Sequence, residues 1–262
     1  MTLDTTAVEV YRSDPDRDEL SAALLVATLL SGVVDAARVR QMLVDLHDRF
    51  TAGEPHDADP SKLVAFLRSE GFRMTDDPSN PDASRIDAVL ASRRGIPITL
   101  SIPYLMVGRA LGLETHGINF PGHFLLRAND VLIDPANAVQ LTRADVDRRL
   151  ADAGLEHLGV NALAHASADD MAVRMLNNVK AIYASRGDLV AALALIDCQL
   201  PLVTDTGALQ IERAELWFSL GNTAAAIAIL DEARRTFGGT GWEAEIDKRL
   251  KHLHRRPPAT IH

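Results

Sequence analysis

The chain has 262 residues, 47% of them apolar and 24% charged, which leaves room for a sizeable buried core and excludes a disordered or fibrous protein. Its formal charge of -9 removes the broad cationic field that a sequence-independent nucleic-acid binder requires. A single cysteine, Cys198, excludes an intramolecular disulfide and any multi-cysteine zinc cluster, and suits a reducing compartment.

Between residues 16 and 50, apolar side chains recur at spacings of three and four (Leu24, Leu29, Val33, then Val39, Met42, Leu43, Leu46), which predicts two or more amphipathic helices. The run from Leu20 to Val34 is interrupted by Ser21, Thr28, Ser31 and Gly32 and is shorter than the ~20 apolar residues of a membrane span, so a buried helix and no membrane partner are expected. Asp4, Glu9, Asp14 and Asp16 stand where an export signal would be basic, so a cytoplasmic location is expected. Thr51 to Pro60 reads as a loop, Lys62 to Glu70 as a helix closed by Gly71, and Asp76 to Asp82, with two prolines among turn formers, as irregular. Helical spacing returns over Ile86 to Ser92 and breaks at Arg93 to Pro97. A second helix then starts at Pro97, where the missing N–H costs nothing, and runs to Leu111.

The period next changes to two. His116, Ile118 and Phe120, then Phe124 to Leu126, then Val131 to Ile133 predict antiparallel strands, with Asn129-Asp130 as the tight turn between the last two. Helices followed by a small antiparallel sheet make an α+β domain. From Ser167 the pattern is helical again, and Tyr183, Gly187, Asp188, Ala192 and Leu193 recur 34 residues later as Trp217, Gly221, Asn222, Ala226 and Ile227. That is the period of the tetratricopeptide repeat. Two repeats are fewer than a free-standing array needs, so this all-α segment is expected to pack on the first domain. The expected organisation is a domain over residues 1–160, a two-repeat module over 161–255 and a tail over 256–262.

Most of the nine histidines have no chemistry in their surroundings. His252, His254 and His262 fall in a basic, proline-flanked tail, and His47, His56, His157 and His165 stand alone, so no metal site is expected. His123 differs, because it opens a strand after a Pro-Gly turn, and a hairpin folding near Asn129 would lay Asp134 on the neighbouring strand. A carboxylate holding one imidazole nitrogen leaves the other as a base, which is the orienting half of a nucleophile-base-orienter triad. The alternative from the same spacing is that Asp134 caps its Asp-Pro turn and His123 is an ordinary edge residue.

The stretches Arg93-Arg-Gly-Ile-Pro-Ile-Thr-Leu-Ser101, Arg109-Ala-Leu-Gly-Leu113, Gly117-Ile-Asn-Phe-Pro-Gly-His-Phe-Leu-Leu-Arg127 and Leu132-Ile-Asp-Pro135 resemble the bacterial SirB family, whose members pair a transglutaminase-like domain with tetratricopeptide repeats. In that wider papain-like superfamily a cysteine begins a core helix, and a histidine and an aspartate follow on adjacent strands. The resemblance assigns the helix end to Arg109-Ala-Leu-Gly112, the histidine to His123, the aspartate to Asp134 and the cysteine position to Pro97 or its neighbour. Proline carries no nucleophile. Cys198 lies in the first repeat, where a small buried apolar role is expected. Ser101, one turn deeper on the same helix face as Pro97, is the better placed hydroxyl, although such hydroxyls usually bond a backbone carbonyl.

Two functions follow. The first is a degenerate, non-catalytic protein, an adaptor that binds a peptide or protein through the old cleft (Arg94, Gly95, Pro97, Asn119, Gly122, Phe124) and the helical groove. The second is a hydrolase or acyl transferase on peptide amide bonds, with His123 as base, Asp134 as orienter and Ser101 or a water as nucleophile. Neither requires a cofactor.

Overall fold

The computed structural model describes residue 3 and residues 5–52, 59–155 and 163–254. The chain divides into two compact units, one over Thr6–Met175 and the other over Met1–Thr5 together with Leu176–His262. The division falls inside a helix, α8, whereas the repeat pattern places it near residue 160.

The first unit opens with α1 (Thr6–Ser13), α2 (Glu19–Ser31), α3 (Ala36–Thr51) and α4 (Pro60–Ser69). The N-caps of α2, α3 and α4 are Asp18, Asp35 and Asp59, each accepting a backbone N–H two or three residues on. A two-residue strand β1 (Arg73–Met74) pairs in parallel with β2 (Arg94–Gly95), and α5 (Ile86–Ser92) lies between them in sequence. The segment expected to be irregular ends in a short 3-10 turn, Pro81–Ser84, nucleated by Asn80, whose side chain accepts the Asp82 N–H. Arg93 ends α5 at φ 63 and stacks on Phe72 at 4.7 Å, so this arginine is a packed cap and not a solvated helix end.

At the centre is α6 (Pro97–Ala110), buried along most of its length. Pro103 removes the bond to the Thr99 carbonyl, yet the helix continues, because burial of Ile98, Leu100, Ile102 and Leu105 outweighs a cost of about 3 kcal/mol. Arg109 fastens its end, donating to both Glu19 oxygens at 2.6 and 2.5 Å and to the Thr115 carbonyl at 3.0 Å. That explains the Arg-x-Leu-Gly segment: Arg109 joins three elements, and Gly112, at φ 83, lets the chain turn into the sheet.

The sheet is a meander of β3 (Thr115–Phe120), β4 (His123–Ala128), β5 (Val131–Asp134) and β6 (Val139–Leu141). Paired residues share a face, so Ile118, Phe120, Leu125 and Leu132 point one way, toward Val146 and Leu150 of α7 (Arg143–Asp152). The opposite face carries Thr115, whose hydroxyl donates to the Leu105 carbonyl of α6 at 3.0 Å, and Gly117. A Cβ at Gly117 would stand 2.7 Å from Phe124 and 3.1 Å from the Met171 sulfur, so only glycine lets α8 (Ala168–Ser185) come this close.

The second unit is helical: the rest of α8, then α9 (Leu189–Gln199), α10 (Gly207–Ser219), α11 (Thr223–Phe237) and α12 (Glu243–His254). The 34-residue offset is visible in its bonding. Gly187 and Gly221 turn at φ 77 and 82, Asp188 and Asn222 cap the next helix by accepting from Ala191 and Ala225, and Ala192 and Ala226 are fully buried. The Asp188 and Asn222 N–H groups reach back to the carbonyls of Tyr183 and Trp217. His252 and His254, expected in a tail, form the last turn of α12 with Lys251, whose positive charge there complements the helix dipole.

Candidate functional site

His123 and Asp134 project from the same face of the sheet, as the hairpin pattern requires, but the register keeps them apart. The Pro121-Gly122 turn sets His123 opposite Phe120, and the pairing of Leu126 with Ile133 carries Asp134 to the level of Leu125, two residues along from His123. No hydrogen bond joins the two among the described residues. Asp134 is instead fully engaged: Oδ1 accepts the Ala136 N–H at 2.9 Å, and Oδ2 accepts from the Asn137 side chain and from Arg149 of α7, both at 2.7 Å. With its side chain 5% exposed, Asp134 is a turn cap and buried ion-pair partner. His123 is exposed, and its ring lies 6.3 Å from that of Phe120.

Ser101 is corrected in the same way. It is fully buried and donates to the Ile98 carbonyl at 2.6 Å, so its proton is committed to its own helix. Around the start of α6, Thr99 Oγ1 and Ser84 Oγ are buried without a partner among the described residues. Further along α6, the buried Tyr104 hydroxyl is likewise unpaired, and desolvation together with the nearby Asp134 charge holds its pKa above the ordinary value.

The six residues expected to line a cleft separate into two groups that, among the described residues, no hydrogen bond or ring contact joins. Arg94 reaches Asp76 at 3.7 Å, Gly95 is buried where a Cβ would meet Val89 at 2.8 Å, and Pro97 is the first residue of α6. Asn119, Gly122 and Phe124 belong to the β3–β4 hairpin, and a residue that sequence patterning did not single out holds them. Arg174 of α8 donates to Asn119 Oδ1 at 3.2 Å and to the His123 carbonyl at 2.6 Å, with its guanidinium 5.4 Å from the Phe124 ring centroid. Desolvation lowers its pKa.

His165 also proves not to stand alone. It stacks on His116 with ring centroids 3.7 Å apart and planes 10° from parallel, and Ile118 bridges to it. His56 and His157 lie outside the described residues. Among the described residues there is no group of three or more His, Cys, Asp or Glu arranged to hold a metal ion, and no helix long and apolar enough to cross a membrane.

In the second unit, Lys180 is buried between Gln199 at 3.0 Å and Glu212 at 2.6 Å, and Gln199 in turn reaches Asn177 at 2.8 Å. A cleft of about 760 Å³ lies between α10 and α12. Trp217 and Phe218 pack half-buried against the apolar cluster of α10, α11 and α12.

A helical layer over a small antiparallel meander, with a buried central helix leading into the sheet, is the arrangement of a transglutaminase-like domain. The chain belongs to the transglutaminase-like superfamily, whose family model matches residues 36–177. It is 31% identical over 160 residues to a UPF0162 protein of Pseudomonas aeruginosa, covering 59% of this chain and 58% of that one. To a UPF0162 protein of Xylella fastidiosa it is 29% identical over 165 residues, 58% of each chain. The chain thus spans 58% of the length of these two relatives. F-box only protein 21 of Mus musculus is 46% identical over 61 residues, which is 23% of this chain and 9% of that protein. No solved structure matches.

Proposed function

We propose that this chain is a non-catalytic, transglutaminase-like protein of the SirB type that works in the cytoplasm as an adaptor, binding a protein or peptide through a tetratricopeptide-like helical segment. The observation that carries this reading is the state of Asp134, whose oxygens are taken up by Ala136, Asn137 and Arg149 and leave nothing to orient an imidazole. Proline stands where the resemblance calls for a nucleophile, and the nearby serine is bonded within its helix. The recurrence of turn, cap and buried alanine at a spacing of 34 supports the repeat reading.

The test is turnover of a panel of glutamine-containing peptides by the full chain and by His123→Ala. Equal, background-level rates are expected from both. Amide cleavage or transfer that disappears in His123→Ala would overturn the reading in favour of a hydrolase or acyl transferase.

A further inference from the structure

Resting on the reading of the helical segment as a binding module, we propose that the cleft between α10 and α12 receives an acidic, apolar peptide segment. Its floor is apolar, built from Ala214 and Phe218 of α10, Leu230 of α11 and Leu253 of α12. Its charged lining runs against the -9 of the whole chain, with three cations, Lys248, Arg249 and Lys251, facing one carboxylate, Glu215. Arg249 satisfies that carboxylate at 2.5 Å and also pairs with Glu245.

After this internal pairing Lys251 is the cation left wholly to a ligand, while Lys248 shares the Glu245 carboxylate with Arg249. Lys248 lies 3.7 Å from Glu245 with its side chain 71% exposed, and Lys251 is exposed with no partner among the described residues. The two are three positions apart on α12, so they share a side and lie about one turn from each other. Carboxylates spaced by a helical turn on a bound helix, or carried by nearby residues of an extended segment, would meet both. His252 sets its ring against Phe218 at 78° and 6.4 Å, forming an aromatic corner for an apolar side chain between the acids. At about 760 Å³ the cleft admits several side chains, and its position between helix faces suits a peptide. The chain's own final residues contain Arg255 and Arg256, which carry the same charge as the cleft wall.

The experiment selects binders from a random dodecamer display library on the immobilised full chain, then titrates fluorescein-labelled winners against wild type, Lys248→Glu/Lys251→Glu and Ala244→Trp. Lys248, Lys251 and Ala244 are all exposed, so the variants are expected to fold, and a melting curve checks each. The expected winners combine Asp or Glu with apolar residues, weaken as salt is raised, and lose about tenfold or more in affinity in both variants. Winners that are neutral or basic but still blocked by Ala244→Trp would overturn the acidic-ligand inference while leaving a binding module. Winners indifferent to both variants would overturn the cleft as the site, and an empty selection would overturn both inference and module. Peptide capture gained only when the chain is ended at His254 would make its own tail the occupant and overturn the proposal.

Discussion

Asp134 and His123 should respond very differently to truncation. Removing the Asp134 carboxylate strands Arg149 and uncaps the turn at Ala136, so Asp134→Ala is expected to cost about 3 kcal/mol in urea denaturation. His123→Ala should stay within about 0.5 kcal/mol of wild type, because the ring is exposed and makes no hydrogen bond among the described residues. A measured coupling between the two substitutions in a double-mutant cycle would show that the residues interact after all. Thr99 gives a second contrast. Its buried hydroxyl has no partner among the described residues, so the near-isosteric Thr99→Val should be neutral or stabilising, and a loss beyond about 1 kcal/mol would reveal a bond to that oxygen. Burial, with Asp197 nearby, pushes the Cys198 thiol up to about 11, so it should resist alkylation at pH 8 in the folded chain and react once unfolded. Rapid native-state labelling would contradict its place in the core of α9.

Strands and helices were legible where packing periodicity alone makes them. The alternation at His116, Ile118 and Phe120 became β3, and Pro97 opened α6 as its ring geometry favours. By contrast, β6 and α7 escaped notice because only Val146 and Leu150 of α7 are buried, too few for a period. The signal present was the Thr142–Asp145 capping box, in which each side chain accepts the other's N–H. The orienting pair failed at register, a property of two turns together, and Arg174 could not be read because it acts across 51 residues. The stacked His116 and His165 also join distant segments, and they give stability a pH dependence. Partial desolvation, the neighbouring His116 and Arg127 hold the His165 pKa below 6.5, outweighing Glu114. The folded state therefore favours neutral His165. Its stabilising preference is intact above pH 6.5 and is lost as pH falls below that value, where the unfolded chain protonates first. Denaturation midpoints between pH 7.5 and pH 5 should fall less in His165→Gln than in wild type; an unchanged slope would contradict the stack.

At the scale of the molecule, both units tie their elements together with polar side chains. In the transglutaminase-like unit, the buried carboxylates Asp134 and Glu19, bonded to Arg149 and Arg109, hold elements together around α6. In the helical unit Lys180, Gln199, Asn177 and Glu212 do the same between α8, α9 and α10, while α12 turns Lys248 and Lys251 to an open cleft. The recurring turns and caps were readable because glycine and cap residues at a fixed spacing are local. The cleft was not, since it requires α10 and α12 side by side.

The most direct measurement is the affinity of one selected peptide for His123→Ala and for Ala244→Trp beside wild type. Unchanged affinity in His123→Ala and a loss of about tenfold or more in Ala244→Trp is the expected result. Loss in His123→Ala with full affinity in Ala244→Trp would contradict it and return function to the Pro-Gly-His hairpin.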